Sequence, residues 1–136
     1  MSHPLKVYLL MKKIIQTNDA PKAVGTYSQA VQVGNLVFLS GQIGLHPDTA
    51  ELAEGFEAQA HQVFKNLHAV CRAAGGSLEH IVKLGVFVTD LGNFEKLNEI
   101  MQQYVTEPFP ARAAVEVSGL PKGALVEMDA VMSLDV

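Results

Sequence analysis

The chain has 136 residues, 49% of them hydrophobic and 18% charged, with a formal net charge of −4; this fits one globular domain with a proper core and excludes a disordered chain. Ten basic residues face 14 acidic ones without any dense Lys/Arg run, so a general nucleic-acid partner is not expected. The single cysteine, Cys71, excludes an intramolecular disulfide and suits a reducing, cytoplasmic setting, and no stretch has the about 18 uncharged apolar residues of a membrane span.

Residues 1–10 precede a second methionine and lack the small-residue cleavage pattern of a signal peptide. They are expected to be an extension outside the fold, with Met11 starting a single domain over residues 11–136. Lys12–Gln16 reads as the first strand, and Asn18–Ala23 as an irregular loop, because Asn, Asp and Pro supply turn chemistry. Gln29–Val33 and Leu36–Ser40 flank Gly34-Asn35, a strong hairpin signal. Ser40-Gly41-Gln42-Ile43-Gly44 then ends the second strand with glycines that permit close backbone approach.

Phe56 to Ala74 is predicted as a helix from the apolar stripe Phe56, Ala60, Val63, Leu67, Val70, Cys71 and Ala74, with Gly75-Gly76 as its stop. Ile81–Thr89 is the next strand, with Val82, Leu84, Val86 and Val88 on one face. A second helix is predicted from Phe94 to Val105 behind Asn93 as N-cap, with Phe94, Leu97, Met101 and Tyr104 facing the core. Ala111–Ser118, the turn Leu120–Gly123 and the strand Ala124–Leu134 form a closing hairpin. The sum is an α+β two-layer fold with two helices on one face of a mixed sheet. Several strands are apolar on both alternations, so the uncovered face is expected to bury itself against other subunits.

CxxC, HExxH, GxGxxG and Walker patterns are missing, so metal and phosphate sites have no signature here. His61 and His68 share a helix face with Lys65 and Arg72 and read as solvated surface. Cys71 lies on the apolar stripe and reads as a small core residue. Ser28 and Ser40 lack a nucleophile elbow. Arg112, by contrast, heads a strand of small residues. Its planar fork matches a carboxylate and keeps its charge, so it implies an anionic partner: a side chain such as Glu116 or Glu127, or a ligand. Glu127 sits inside an apolar strand, where a carboxylate is costly unless paired or used. Whether the two share a face depends on hairpin register; if they do, they stand roughly 7–13 Å apart and leave room for a small molecule.

Six blocks carry a resemblance: Ala20–Ala30 (APKAVGTYSQA), Ser40–Ile43, Asn66-Leu67 with Ala73-Ala74-Gly75, Val86–Asp90, Pro110-Ala111-Arg112 and Leu120–Glu127 (LPKGALVE). In this order, over residues 12–134, they resemble the reactive intermediate deaminase A family, also called YjgF/YER057c/UK114. The resemblance implies a chorismate-mutase-like fold with a six-stranded sheet, a homotrimer with clefts between subunits, and hydrolysis of 2-iminobutanoate and 2-iminopropanoate to 2-oxo acids and ammonia without a cofactor. It implies that Arg112 holds the substrate carboxylate and Glu127 activates water, with Tyr27, Ser40, Gly41, Phe94 and Asn98 lining the pocket. Alternative readings keep this clamp: a deaminase of another enamine such as aminoacrylate, or a non-catalytic regulatory or chaperone-like trimer that binds 2-oxo acids. Many active members carry a cysteine two residues after the arginine, where this chain has Ala114. Some members have been called ribonucleases, a role that the acidic balance argues against.

Overall fold

The computed structural model describes residues 11–136; the expected extension, residues 1–10, lies outside the described residues. Six strands form one sheet: β1 (Lys13–Ile15), β2 (Ala30–Val33), β3 (Leu36–Ile43), β4 (Ile81–Val88), β5 (Ala111–Glu116) and β6 (Val126–Ser133). Two helices, α1 (Phe56–Ala73) and α2 (Phe94–Met101), pack on one face. The strand order is β1-β2-β3-β6-β4-β5, and each pair is antiparallel except β4–β5. This is the two-layer α+β, chorismate-mutase-like arrangement expected from the sequence.

Helix α1 forms where the apolar stripe predicts it. Ala60, Val63, Phe64, Leu67, Val70 and Cys71 are buried along it, against Val126, Met128 and Met132 of β6 and Leu84, Val86 and Val88 of β4. Its end is a Schellman motif: Gly76 N donates to Cys71 O and Gly75 N to Arg72 O, with Gly75 at φ 97°. Two buried amides extend α1 toward the loops. Asn66 Nδ2 donates to Ile43 O and Leu45 O, and Gln59 Oε1 accepts from Leu125 N at 2.8 Å.

Three expectations are corrected. The closing hairpin does not form: β6 inserts between β3 and β4, while β5 lies on the far side of β4 as its parallel neighbour. A crossover through α2 makes this possible, since parallel strands need a long connection. Val82 does not share a face with Leu84, because a register shift between Ile81 and Lys83 turns Ile81 inward and leaves Val82 exposed. Helix α2 ends at Met101 rather than Val105. A single helical turn over Leu91–Asn93 precedes it, capped by the Asp90 carboxylate accepting from Gly92 N, while the Asn93 side chain makes no capping bond.

The face of the sheet away from the helices carries Phe38, Val115, Phe87, Val131 and the side chains of Glu127 and Asp129. Phe38 is 48% exposed and Val115 47%, so the apolar second face read from the strands is present and, among the described residues, uncovered.

Candidate functional site

The candidate site residues fall into two clefts. Arg112 belongs to the first, on the helix side of the sheet. Its strand partner is Leu84, which is buried, and alternation places the guanidinium over the end of α2. There Nη1 donates to Asn98 Oδ1 at 2.7 Å and approaches Met101 Sδ at 3.7 Å, and Cζ lies 5.0 Å from the centre of the Phe94 ring. Phe94 therefore supports the cation instead of facing the core as expected. Asn98, Met101, Phe109, Pro110 and Arg112 line an open cavity of about 420 Å³.

Neither carboxylate offered by the sequence pairs with Arg112. Glu116 Oε1 accepts from Leu91 N at 2.9 Å, and Glu127 is on the other face. Among the described residues the partners of the guanidinium are all neutral, and its other nitrogens make no hydrogen bond. One edge of the fork stays open for an anion.

The second cleft, about 480 Å³, is lined by Tyr27, Ser40, Gly41 and Glu127, with Lys22 and Lys122 at its sides. A bulge builds it. Leu39 pairs Ala130 but Gln42 pairs Met128, so Ser40 and Gly41 form the extra length of β3 beside Glu127. The strand runs on through these residues to Ile43 instead of ending at Ser40. A Cβ on Gly41 would meet Glu127 Oε2 at 2.8 Å; glycine here is what lets the carboxylate lie along the backbone. The Ser40 hydroxyl donates to Ser28 O, and Gln29, buried, donates through Nε2 to Thr17 O and Pro21 O, tying down the loop that carries Tyr27.

Burial pushes the Glu127 carboxyl above the ordinary range, and Asp129, two residues on along the same face, adds to the rise. A carboxylate so placed is a better proton acceptor than a free one. Two other candidates drop out as chemistry. Burial raises the Cys71 thiol to about 12, leaving no thiolate at neutral pH, and among the described residues no three His, Cys, Asp or Glu side chains are grouped to hold a metal. His61 is not merely solvated surface: Nδ1 meets the Tyr104 hydroxyl and its ring packs edge-on to that ring.

Arg112 and Glu127 thus do not share a face, and the hairpin whose register was to decide the question does not form. Of the residues named from the sequence, Tyr27, Ser40 and Gly41 lie along the second cleft, Asn98 along the first, and Phe94 under the guanidinium; Met101, which lines the first cleft, Lys22 and Lys122, which line the second, and Asp129, which acts on Glu127, were not named as site residues. Asp129 had a signal, being two residues from Glu127 on one strand.

The family model described as Endoribonuclease L-PSP matches residues 17–133. A RutC family protein, y4sK, of Sinorhizobium fredii is 52% identical over 88% of this chain and 96% of its own length. The 2-iminobutanoate/2-iminopropanoate deaminase of Homo sapiens is 43% identical over 90% of both chains. The crystal structure of RidA from an Antarctic Psychrobacter superposes with a TM-score of 0.88 at 56% identity, covering 90% of this chain and 99% of that one.

Proposed function

The chain belongs to the Endoribonuclease L-PSP family, which is the YjgF/RidA family, and from that premise we propose that it hydrolyses 2-imino acids such as 2-iminobutanoate and 2-iminopropanoate to 2-oxo acids and ammonia. The observation that carries the reading is Arg112. Its guanidinium is braced by Asn98 and Phe94 and, among the described residues, pairs with no carboxylate, the state expected of a clamp for a small acid.

The complete site forms between subunits. Arg112 lies on β5 and Glu127 on β6, with β4 between, and the pairings Leu84–Arg112 and Phe87–Glu127 are three residues apart. At strand spacing this is about 14 Å, with the sheet itself intervening. One small molecule cannot touch both within a chain. A homotrimer that buries Phe38, Val115 and the rest of the open face would set the Arg112 cleft of one subunit against the Glu127 cleft of the next.

In that cleft the substrate carboxylate binds the open edge of the Arg112 fork, which presents the C=N carbon toward Glu127. Glu127 takes a proton from a water as its oxygen adds to that carbon, giving a carbinolamine. Glu127 returns that proton to the nitrogen and then takes the hydroxyl proton as the C=O forms and the C–N bond breaks, and the departing ammonia carries the proton away from Glu127 as ammonium. Positioning and one general base, the latter worth about 10² to 10⁴ in rate, are sufficient for so reactive a substrate. The family model's name speaks of an endoribonuclease, but the net charge of −4 offers no basic track for a phosphate backbone.

A second reading keeps the clamp and drops the turnover: a trimer that binds 2-oxo acids. The half-open fork of Arg112 serves either. The test is to generate 2-iminobutanoate in situ with an amino-acid oxidase and follow 2-oxobutanoate formation with the wild type, Arg112→Ala and Glu127→Gln, checking assembly by sedimentation. Acceleration by the wild type, abolished in both assembled variants, is the expected result. A wild type that adds nothing to the spontaneous rate yet binds 2-oxobutanoate through Arg112 would replace the enzyme by the binding protein. Activity on aminoacrylate alone would move the substrate, not the machinery.

A further inference from the structure

The cleft around Glu127 is more basic than a small monoacid requires. Lys22 and Lys122 line it, Glu127 is its one acidic liner among the described residues, and both lysines are exposed. Among the described residues the ion pairs belong to Lys96, with Glu57 and Glu99, so no fixed carboxylate neutralises either cleft lysine. A concave site with unneutralised cations concentrates anions, even on a chain that is acidic as a whole.

Lys122 also holds its place against local preference. Its backbone sits at φ 58°, ψ 20°, Gly123 follows at φ 72°, and Ala124 N donates to Pro121 O at 3.0 Å. That is a two-residue type I′ turn, whose first central position favours Asn, Asp or Gly. A lysine in the left-handed region costs about 1 kcal/mol. Among the described residues its side chain makes no hydrogen bond or ion pair that would offset the strain. A strained, unpartnered side chain at the rim of a site points to a ligand.

We infer that the site takes 2-imino diacids, the imines of acidic amino acids, with Lys122 binding the second carboxylate and Lys22 adding to the field. This rests on the imino-acid reading above: Arg112 clamps the carboxylate beside the imine carbon, and Glu127 serves the water. A 2-imino acid inherits the side chain of its amino acid, and the anionic side chains end in carboxylates one or two methylenes from the reacting carbon. Methyl and ethyl side chains leave both lysines idle. An ammonium on a flexible stem is a point charge with three rotatable donors, so it accepts either length of diacid.

The test compares kcat/KM for two imines made in situ: that of aspartate, from D-aspartate oxidase, and that of 2-aminobutanoate, from D-amino-acid oxidase. The wild type is expected to favour the diacid, and the preference to weaken as ionic strength rises. In Lys122→Gln the diacid-to-monoacid ratio falls about tenfold, equivalent to the loss of one charge-assisted hydrogen bond; Lys22→Gln lowers it less, and Lys122→Arg restores it. Lys122→Gly separates folding from recognition, because it relieves the turn, raises Tm and still loses the ratio. Equal losses on both imines in Lys122→Gln, an unchanged ratio, or a wild type that hydrolyses only the monoacid would overturn the inference. A wild type that hydrolyses neither imine overturns the deaminase reading itself, and this inference with it.

Discussion

Arg112 and Glu127 occupy opposite faces of one sheet, their strands separated by β4, and each sits among its own set of cleft residues. If they act together, each must be supplied by a different subunit, and subunit mixing tests this. Trimers of Arg112→Ala alone or Glu127→Gln alone are expected to be inactive. After unfolding and joint refolding of an equal mixture, about a quarter of wild-type activity should return. Roughly three in four random trimers are mixed, and a cyclic trimer of either mixed composition keeps one intact site of three. No recovery in mixtures that native mass spectrometry shows to have exchanged subunits would mean that the two residues never meet.

Arg112→Lys keeps the charge and loses the fork. Asn98 Oδ1 and the Phe94 ring hold a planar group at 2.7 Å and 5.0 Å, and an ammonium can neither stack on the ring in the same way nor grip a carboxylate at two points. The loss is expected to be about 2 kcal/mol, or roughly thirtyfold in kcat/KM. Phe94→Leu, which removes only the support, is expected to cost about 0.5 to 1 kcal/mol. Steady-state kinetics on 2-iminobutanoate reads both, and a lysine variant at wild-type kcat/KM would leave the fork without a role.

Gly41→Ala adds a methyl group at a distance of 2.8 Å from Glu127 Oε2 and 3.0 Å from its Cδ. The backbone there is on an exposed bulge, so the fold has room to keep its stability while the carboxylate must swing away. Activity is expected to fall at least about tenfold, as misplacing a catalytic group by about 1 Å does, with Tm nearly unchanged. A drop in Tm matching the drop in activity would make Gly41 a folding residue instead.

Much of the fold was legible because the signals were local. The stripe on α1, its Gly75-Gly76 stop and the Gly34-Asn35 hairpin each depend on residues within a few positions of one another, and all form. The placement of β6 was not legible. Its residues alternate equally well beside β3, β4 or β5, and only the packing of Val126, Met128 and Met132 against α1 selects the central position. The same error put Arg112 and Glu127 on one ribbon, whereas they lie on opposite faces with β4 between their strands. Lys122 escaped notice because its turn looked like ordinary Pro-Gly chemistry; the left-handed lysine shows only in the dihedral angles.

Asn66→Leu tests how α1 supports the second cleft. Asn66 is fully buried and its side chain donates to Ile43 O at 3.2 Å and Leu45 O at 2.9 Å, while Oδ1 accepts from Gln62 Nε2. Leucine fills the space and leaves those carbonyls without their donor. A loss of about 2 to 3 kcal/mol is expected, read as a lower urea midpoint at constant m-value. Because Ile43 and Leu45 also line the Glu127 cleft, KM should rise in the folded fraction. A variant as stable as the wild type would show that other groups or water satisfy the two carbonyls.

The acid side of the pH profile tests Glu127 as the base. Burial first, and the Asp129 carboxylate second, favour its protonated form and raise its pKa. A general base works deprotonated, so kcat/KM should be lost as pH falls through this raised value, above the range of an ordinary carboxylate. Asp129→Asn removes the smaller cause and should move the limb down without abolishing activity. Stability must shift in step. A carboxyl whose pKa is higher folded than unfolded holds its proton longer in the folded state, so its contribution is fully present below the unfolded pKa and is lost as pH rises through the folded one. Asp129→Asn should therefore reduce that loss at neutral pH while leaving acidic stability less changed. Urea midpoints against pH for both proteins, set beside their rate profiles, check the two effects on one group. A rate limb that stays put when the stability curve moves would assign the base to a residue other than Glu127.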